Sequence, residues 1–264
     1  MPIDGVTTWH HGLIARWWAN FNTDGPEIEF FGAVADAGQP ALDVGCGTGR
    51  LLVPWVAAGL DVDGVDPSAD MIDACRTATA AVARFPLLAV QAIHQLDMPR
   101  RYGSAVMCGV FGLGVTRQQD LDGLRRVRAH LRPGGVVALD YEVGEFDVDR
   151  WRGWQPRPAD ETPPPETERH GGADGFHYAL RSRMTAVDTV DYRVTRELQA
   201  WQWLNDELVA HETHALVMNV YSAEQIVAAL ADAGFVDVSV VGGYHGAEPT
   251  SEDRFLVFRG VVAE

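Results

Sequence analysis

Apolar and polar positions follow two different periods along the first 145 residues. Helical spacing marks the segments Leu13 to Phe21 and Glu27 to Ala37, and short apolar stretches bounded by turn residues lie beyond them. Strands alternating with helices favour a doubly wound, Rossmann-like α/β sheet with helices on both faces. The predicted strands are 41–44, 61–65, 87–93, 105–110 and 135–140, and the other predicted helices are 50–58, one opened by Ser68, and 120–131.

The pattern changes after Tyr141. Residues 154–175 are rich in Pro, Glu, Thr and Gly, which is typical of a long lid or surface loop. Short turns then separate three runs of two-residue alternation, which favours an inserted antiparallel sheet. Ser222 with Gln225 forms a capping box that opens a helix ending near Gly234. The alternating runs are 176–187, 192–204 and 207–221, and two last strands at 235–241 and 255–262 complete a predicted seven-stranded mixed sheet.

Charge excludes several classes of partner. The chain of 264 residues has 37 acidic and 21 basic residues, a net charge of −16, and every basic residue is arginine. A chain this acidic is a poor binder of nucleic acid or of an anionic membrane surface. The absence of lysine excludes Schiff-base chemistry and a Walker-type phosphate lysine. Three widely spaced cysteines and the absence of an N-terminal signal pattern predict reduced thiols in a cytoplasmic protein.

A glycine-rich turn carries the strongest chemical signal. Leu42 to Arg50 follows a predicted strand and opens a helix, so its backbone can approach a nucleotide-like ligand closely. Asp66 ends the next strand, where a carboxylate can accept both hydroxyls of a ribose. The pattern is G-x-G-x-G, with Arg50 where a dinucleotide fold has its third glycine. Asp43 before the turn would repel a pyrophosphate but suits an ammonium group, so a sulfonium ligand with an amino-acid tail fits better than a nicotinamide cofactor.

On these residues the sequence resembles the class I S-adenosylmethionine-dependent methyltransferases of the small-molecule type. The resemblance covers about residues 13–143 and the segment from Ser222 onward. It implies an S-adenosylmethionine-binding core at 40–145, an N-terminal helical cap at 1–39, a lid loop and β insertion on the acceptor side at 146–221, and a final helix and strands at 222–264. S-adenosylhomocysteine would be the product. The cofactor-binding residues that it implies are Trp18, Asp43, Gly45, Cys46, Gly47, Gly49, Asp66, Pro67, Met71, Asp97, Met98, Cys108 and Gly109.

The acceptor side is less defined by the sequence. Insertions at this point of the family often form a small sheet over the substrate, and the candidate substrate residues are Trp17, Phe111, Tyr141, Arg181 and Tyr221. Trp201 and Trp203 share a face that lines a pocket, an interface or a packed corner. Arg181 and Arg183 could bind an acidic substrate group, although pairing with Glu197 across the strands is the favoured interpretation. The hairpin register, and with it the face that looks at the cofactor, stays open.

Methyl transfer mainly requires alignment of donor and acceptor, so a catalytic base is optional. The candidates for a base are His11, Tyr141 and Glu142, each of which also has an ordinary structural interpretation. His211 and His214 would point to opposite faces of a strand, so we predict no metal site. The predicted function is transfer of a methyl group to an oxygen, nitrogen or carbon atom of a small molecule by a monomer or homodimer. A nicotinamide-dependent oxidoreductase and a non-methylating S-adenosylmethionine-binding protein are the alternatives.

Overall fold

The computed structural model describes residues 8–80, 85–143, 151 and 153–264. Its main sheet has seven strands in the order β10-β11-β5-β4-β1-β2-β3. Strands β1 to β5 are parallel, and β11 runs antiparallel to both β5 and β10. The strands are β1 Ala41–Val44, β2 Val62–Asp66, β3 Leu88–Val90, β4 Tyr102–Met107, β5 Leu131–Glu142, β10 Phe235–Gly242 and β11 Phe255–Val262.

Helices cover both faces of this sheet, as the alternation predicted. Leu124 of one helix and Ile226 of another pack with Leu42 on one face, while Phe31 and Ile72 pack with other core residues on the opposite face. Capping boxes begin two of the helices, at Thr116 with Gln119 and at Ser222 with Gln225, and the second was predicted. The helices are α1 Gly12–Phe21, α2 Glu27–Ala37, α3 Leu52–Ala57, α4 Ala69–Thr79, α5 Arg117–His130 and α6 Ala223–Asp232. None of the helices in the described ranges is long and apolar enough to cross a membrane.

A second sheet lies between β5 and α6 in the chain. It is antiparallel, with the order β6-β7-β8-β9, and its long strands form two successive hairpins. The strands are β6 His170–Gly171, β7 His177–Asp188, β8 Arg193–Leu204 and β9 Glu207–Asn219. The predicted antiparallel insertion is therefore present, but its predicted boundary at 145/146 lies outside the described residues.

Two features of the topology position a ligand site. The strand order reverses between β1 and β4, and in open parallel sheets such a switch point leaves a crevice at the carboxyl ends of the strands. Helix α1 packs its apolar side against the inserted sheet, where Leu13 and Ile14 contact Tyr178, Leu198 and neighbouring residues. The crevice is therefore bordered by the main sheet, by α1 and by the inserted sheet.

Candidate active site

A cavity of about 420 Å³ lies at the carboxyl ends of β1, β2 and β4. Three parts of the chain line it: the glycine turn and strand ends of the main sheet, the N-terminal segment with α1, and the inserted sheet. The predicted residues that line it are Trp18, Asp43, Gly45, Cys46, Gly47, Asp66, Pro67, Met71, Cys108, Gly109 and Glu142. Their convergence on one cavity makes this the candidate active site.

The glycine turn is held against β2 by its own backbone. The amides of Gly45 and Cys46 both donate to the carbonyl of Val65, at 2.7 and 3.0 Å. Gly45 has φ +78°, and a Cβ there would lie 2.3 Å from a methyl group of Val110. Gly47 has φ +53°, but a Cβ there would meet open space. The turn therefore presents bare backbone to the cavity at Gly47, where a ligand can approach closely.

Asp66 is the last residue of β2, and both of its carboxylate oxygens accept hydrogen bonds from backbone amides. Oδ1 accepts from the amide of Ser68 at 2.8 Å, and Oδ2 accepts from the amide of Gly47 at 3.0 Å. Burial raises the pKa of this carboxyl to about 6, although the two backbone hydrogen bonds act in the opposite direction. The carboxylate is therefore ionised near neutral pH and fixed in orientation, with lone pairs left for a hydroxyl donor.

Asp43 in β1 has a different environment. Its side chain is 1% exposed, and its Oδ2 atom has no hydrogen-bond partner in the described structure. Burial, with a further contribution from Asp66, raises the pKa of Asp43 to about 8. An unsatisfied buried acceptor is costly, so this oxygen is suited to a ligand that brings a hydrogen-bond donor or a positive charge.

The N-terminal segment covers the cavity with aromatic rings. His10 lies between Trp9 and Trp18, with ring centroids 6.1 and 5.6 Å away. The indole nitrogen of Trp9 donates to Nε2 of His10 at 3.1 Å, so Nδ1 carries the proton and donates to Thr8 Oγ1 at 2.6 Å. Burial lowers the pKa of His10 to about 4. The imidazole is therefore neutral, with both nitrogens engaged.

Two carboxylates from different parts of the fold hold the first turn of α1. Asp70 of α4 accepts from the amide of Gly12 at 2.7 Å, and Glu212 of β9 accepts from the amide of Leu13 at 2.9 Å. Free amides at a helix N-terminus favour negative partners. The first turn of α1 is thus hydrogen-bonded both to α4 of the main fold and to β9 of the inserted sheet.

The ends of β4 and β5 form the opposite wall. Cys108 donates through Sγ to Asp140 at 3.1 Å, and burial raises the pKa of this thiol. Glu142 lines the cavity at the end of β5 and forms an ion pair with Arg254. This wall therefore carries a neutral thiol and a carboxylate held by a guanidinium group.

The register of the inserted sheet answers the question left open by the sequence. Arg196, Leu216 and Met218 line the cavity, and Arg196 lies opposite Leu216 in the β8–β9 pairing. Trp201 and Trp203 lie on the other face and are 0% and 2% exposed. The packed-corner interpretation is therefore the one that the structure supports.

The two arginines of β7 also lie on that outer face. Arg183 pairs with Glu197 at 2.7 Å, as the favoured interpretation had it. Arg181 instead binds the loop, through Asp160 and Glu168 and the carbonyl of Thr162. The loop at 154–175 thus packs over the outer face, and Arg181 does not reach the cavity as predicted for a substrate residue.

Asp97, Met98 and Gly49, which the sequence also predicted at the cofactor, are not among the residues that line the cavity. Strand β3 ends at Val90 instead of continuing to Ile93, and the chain turns into a short 3₁₀ helix. The Gln91 side chain then bonds both the amide and the carbonyl of Asp97, at 2.9 and 3.2 Å, and leaves the Asp97 side chain exposed. Gly49 permits close packing instead, because a Cβ there would lie 2.7 Å from Val53.

The other predicted acceptor-side residues are packing residues. Phe111, Tyr141 and Tyr221 form a buried aromatic cluster in the main core, and Trp17 packs on Phe21 with ring centroids 4.4 Å apart. The Tyr141 hydroxyl donates to the carbonyl of Asn219 and accepts from the amide of Tyr221, and burial raises its pKa to about 12. These four residues do not line the cavity.

His11 also lies outside the cavity, with Nδ1 3.4 Å from the hydroxyl oxygen of Ser68. Its neighbour His10 lines the cavity instead, and the sequence contains no signal that separates the two histidines. Other lining residues that sequence reasoning missed follow β3, follow β4 or belong to the cap. They are Gln91, Ala92, Ile93, His94, Val110, Leu113, Gly114, Val115, Thr8, Trp9 and Asn22, together with Val44, Thr48, Arg50, Leu51 and Val65 around the glycine turn and Arg196, Leu216 and Met218 of the inserted sheet.

Comparisons with known proteins found a family model and solved structures that are similar to this chain. Residues 42–137 match a family model described as a methyltransferase domain. No curated protein matches the chain significantly. Similar solved structures include an S-adenosylmethionine-dependent methyltransferase from Clostridium acetobutylicum, with TM-score 0.69 and 16% identity over 94% of this chain and 96% of that one. The methyltransferase CcbJ from Streptomyces caelestis has TM-score 0.69 and 18% identity over 99% and 100%. The sugar N-methyltransferase KedS8 from Streptoalloteichus has TM-score 0.68 and 20% identity over 100% and 99%.

Proposed function

We propose that this chain is a class I S-adenosylmethionine-dependent methyltransferase and that its acceptor is an amino group of a small molecule. S-adenosylmethionine supplies a methyl group already activated on a sulfonium. The protein must therefore bind the cofactor, align the acceptor and exclude water. The acceptor nitrogen gains the methyl group and gives up a proton.

Two observations support the fit of this cofactor to the described residues. The buried Oδ2 of Asp43 is unpaired at one end of the cavity, where an ammonium group would satisfy it. Gly47 leaves open space where any side chain would project. In this proposal Asp66 binds the ribose hydroxyls, Asp43 faces the ammonium, and Trp18 with His10 covers the ligand.

Glu142 on the wall of the cavity supports the choice of an amine, because a carboxylate can hold an ammonium group and take up its proton. A hydroxyl acceptor usually needs a general base, whereas an amine needs only to be neutral. His10 is the cavity-lining imidazole of the cap, and both of its nitrogens are engaged by Trp9 and Thr8. Glu142 is the carboxylate on the opposite wall, where it would orient an ammonium group and accept its proton. Two similar structures are described as N-methyltransferases, of a sugar and of a glycopeptide.

The chemistry of the chain supports further parts of the proposal. Its three cysteines are free thiols, which suits the cytoplasm. Its net charge of −16 disfavours nucleic acid and anionic membrane surfaces as partners. We expect a monomer or homodimer acting on a free small molecule.

Paired acceptors test the proposal. Purified protein is incubated with S-adenosylmethionine and amino sugars, each alongside the matching sugar with a hydroxyl in place of the amine. We expect mass spectrometry to show one added methyl group on amines only. Methylation of the hydroxyl compounds instead would overturn the amine assignment, and failure to bind S-adenosylhomocysteine would overturn the cofactor assignment.

A further inference from the structure

We propose that Asp43 holds a proton in the ligand-free protein and releases it when a ligand places an ammonium group against Oδ2. Cofactor binding is then coupled to the release of a proton, and the site favours ligands that carry the amino-acid end. The inference rests on the proposed function, since it concerns the same cavity. It adds a change of protonation on ligand binding, which a cofactor-binding carboxylate need not undergo.

Asp43 is buried in the middle of the main sheet. Strand β1 lies between two parallel neighbours, and Asp43 is in register with Gly64 of β2 and Val106 of β4. The side chain is consequently 1% exposed, although it lines the cavity. Its Oδ2 lacks the kind of backbone donor that both oxygens of Asp66 have. A buried carboxylate without a donor or a cation is unfavourable, so the carboxyl keeps its proton.

The surrounding charges leave that proton in place. The titratable groups around Asp43 are acids or thiols: Asp66 from β2, Cys46 from the turn with Cys75 from α4 beside it, Cys108 after β4, and Asp140 from β5 bonded to Cys108. The cavity-lining cation at this end is Arg50, which pairs with Glu27 and donates to Cys108 at 3.5 Å. Burial and the neighbouring Asp66 accordingly raise the pKa of Asp43 to about 8.

An ammonium group at Oδ2 reverses this balance. It supplies both the donor and the positive charge, so the carboxylate becomes the stable form and the proton passes to solvent. A group with a pKa of about 8 is roughly nine-tenths protonated at pH 7. About a tenth of the free ligand molecules have a neutral α-amino group at pH 7, because the pKa of that group is about 8, and these molecules take up a proton when they bind. Binding at pH 7 should therefore release about 0.8 proton per ligand.

Calorimetry of the full chain measures this directly. Titration with S-adenosylhomocysteine in phosphate and in Tris at pH 7 gives two binding enthalpies, and their difference gives the protons released. We expect release of more than half a proton. The matched ligand is 5′-methylthioadenosine, which keeps the nucleoside and sulfur but lacks the amino acid, and it should bind without proton release.

An Asp43→Asn variant separates this proposal from its alternatives. It should bind S-adenosylhomocysteine more weakly and with less than 0.2 proton released, and its affinity should not rise between pH 6 and pH 8. Wild-type binding without proton release, or equal release in the variant, would overturn the inference while leaving the cofactor assignment intact. Failure of the wild type to bind at all would instead count against the proposed function.

Discussion

Glu142 is the side chain through which the proposed amine chemistry can be tested. It lines the cavity and pairs with Arg254, so it presents a carboxylate of fixed position to the cavity. Glu142→Gln keeps the shape but removes the charge and the proton acceptor. We expect kcat/KM for an amine to fall about 100-fold or more, because one positioned acid–base group contributes about 10²- to 10⁴-fold. The dissociation constant of S-adenosylhomocysteine should stay unchanged.

The exposed Glu252→Gln is the matched control, since it removes the same charge from a surface position. In this variant kcat/KM for the amine and the dissociation constant of S-adenosylhomocysteine should both equal the wild-type values. An unchanged rate in Glu142→Gln would remove this residue from the mechanism.

The location of single site residues could be predicted from the sequence where a motif fixes their position at the end of a strand. Asp43 precedes the glycine turn and Asp66 ends the strand that follows it, and both line the cavity. Asp97 has no such tie, because its position depends on where β3 ends and on two hydrogen bonds from Gln91. Those interactions are made across a loop and leave no periodic signal.

The glycine turn between β1 and α3 provides a prediction at the level of an element. In Gly47→Ala the new methyl group meets open cavity space, so the fold should lose only about 1 kcal/mol for the positive φ. The methyl group should nevertheless weaken S-adenosylhomocysteine binding at least tenfold by obstructing the turn. Thermal melting and calorimetry measure the two effects separately.

The contrasting variant is Gly45→Ala, whose methyl group would overlap Val110. It should lower the melting temperature more than Gly47→Ala does, because a packed side chain must move. Equal ligand affinity in Gly47→Ala and the wild type would show that the turn does not contact the ligand.

Elements were predictable in kind, while the orientation of the inserted sheet was not. Capping residues and periodicity identified α6 and the hairpins β7–β8 and β8–β9. The face toward the cavity depends on register, and register shifts occur at Met184/Ala186 and at Gln202/Trp203. A shift by one residue exchanges the two faces of a strand, so alternation alone leaves the face undetermined.

Across the whole molecule, acidic residues fall into two groups. Most of the 37 acids contribute to the formal net charge of −16. A few are buried with raised pKa values, including Asp66 and Asp120 at about 6 and Asp43 at about 8. These carboxyl groups therefore hold protons in the folded protein that they have released in the unfolded chain, and the stability that they contribute falls as the pH rises through these values.

Between pH 6.5 and pH 8 this effect should come mainly from Asp43. Its folded pKa lies above the unfolded value, so the stability that it contributes is present at low pH and declines until about pH 8. One proton corresponds to about 1.4 kcal/mol per pH unit, so the melting temperature should fall by a few degrees at constant ionic strength. Asp43→Asn should remove most of this slope, and saturating S-adenosylhomocysteine should flatten it in the wild type, because the bound protein no longer carries the proton. A slope that persists unchanged in Asp43→Asn would assign the effect to other groups.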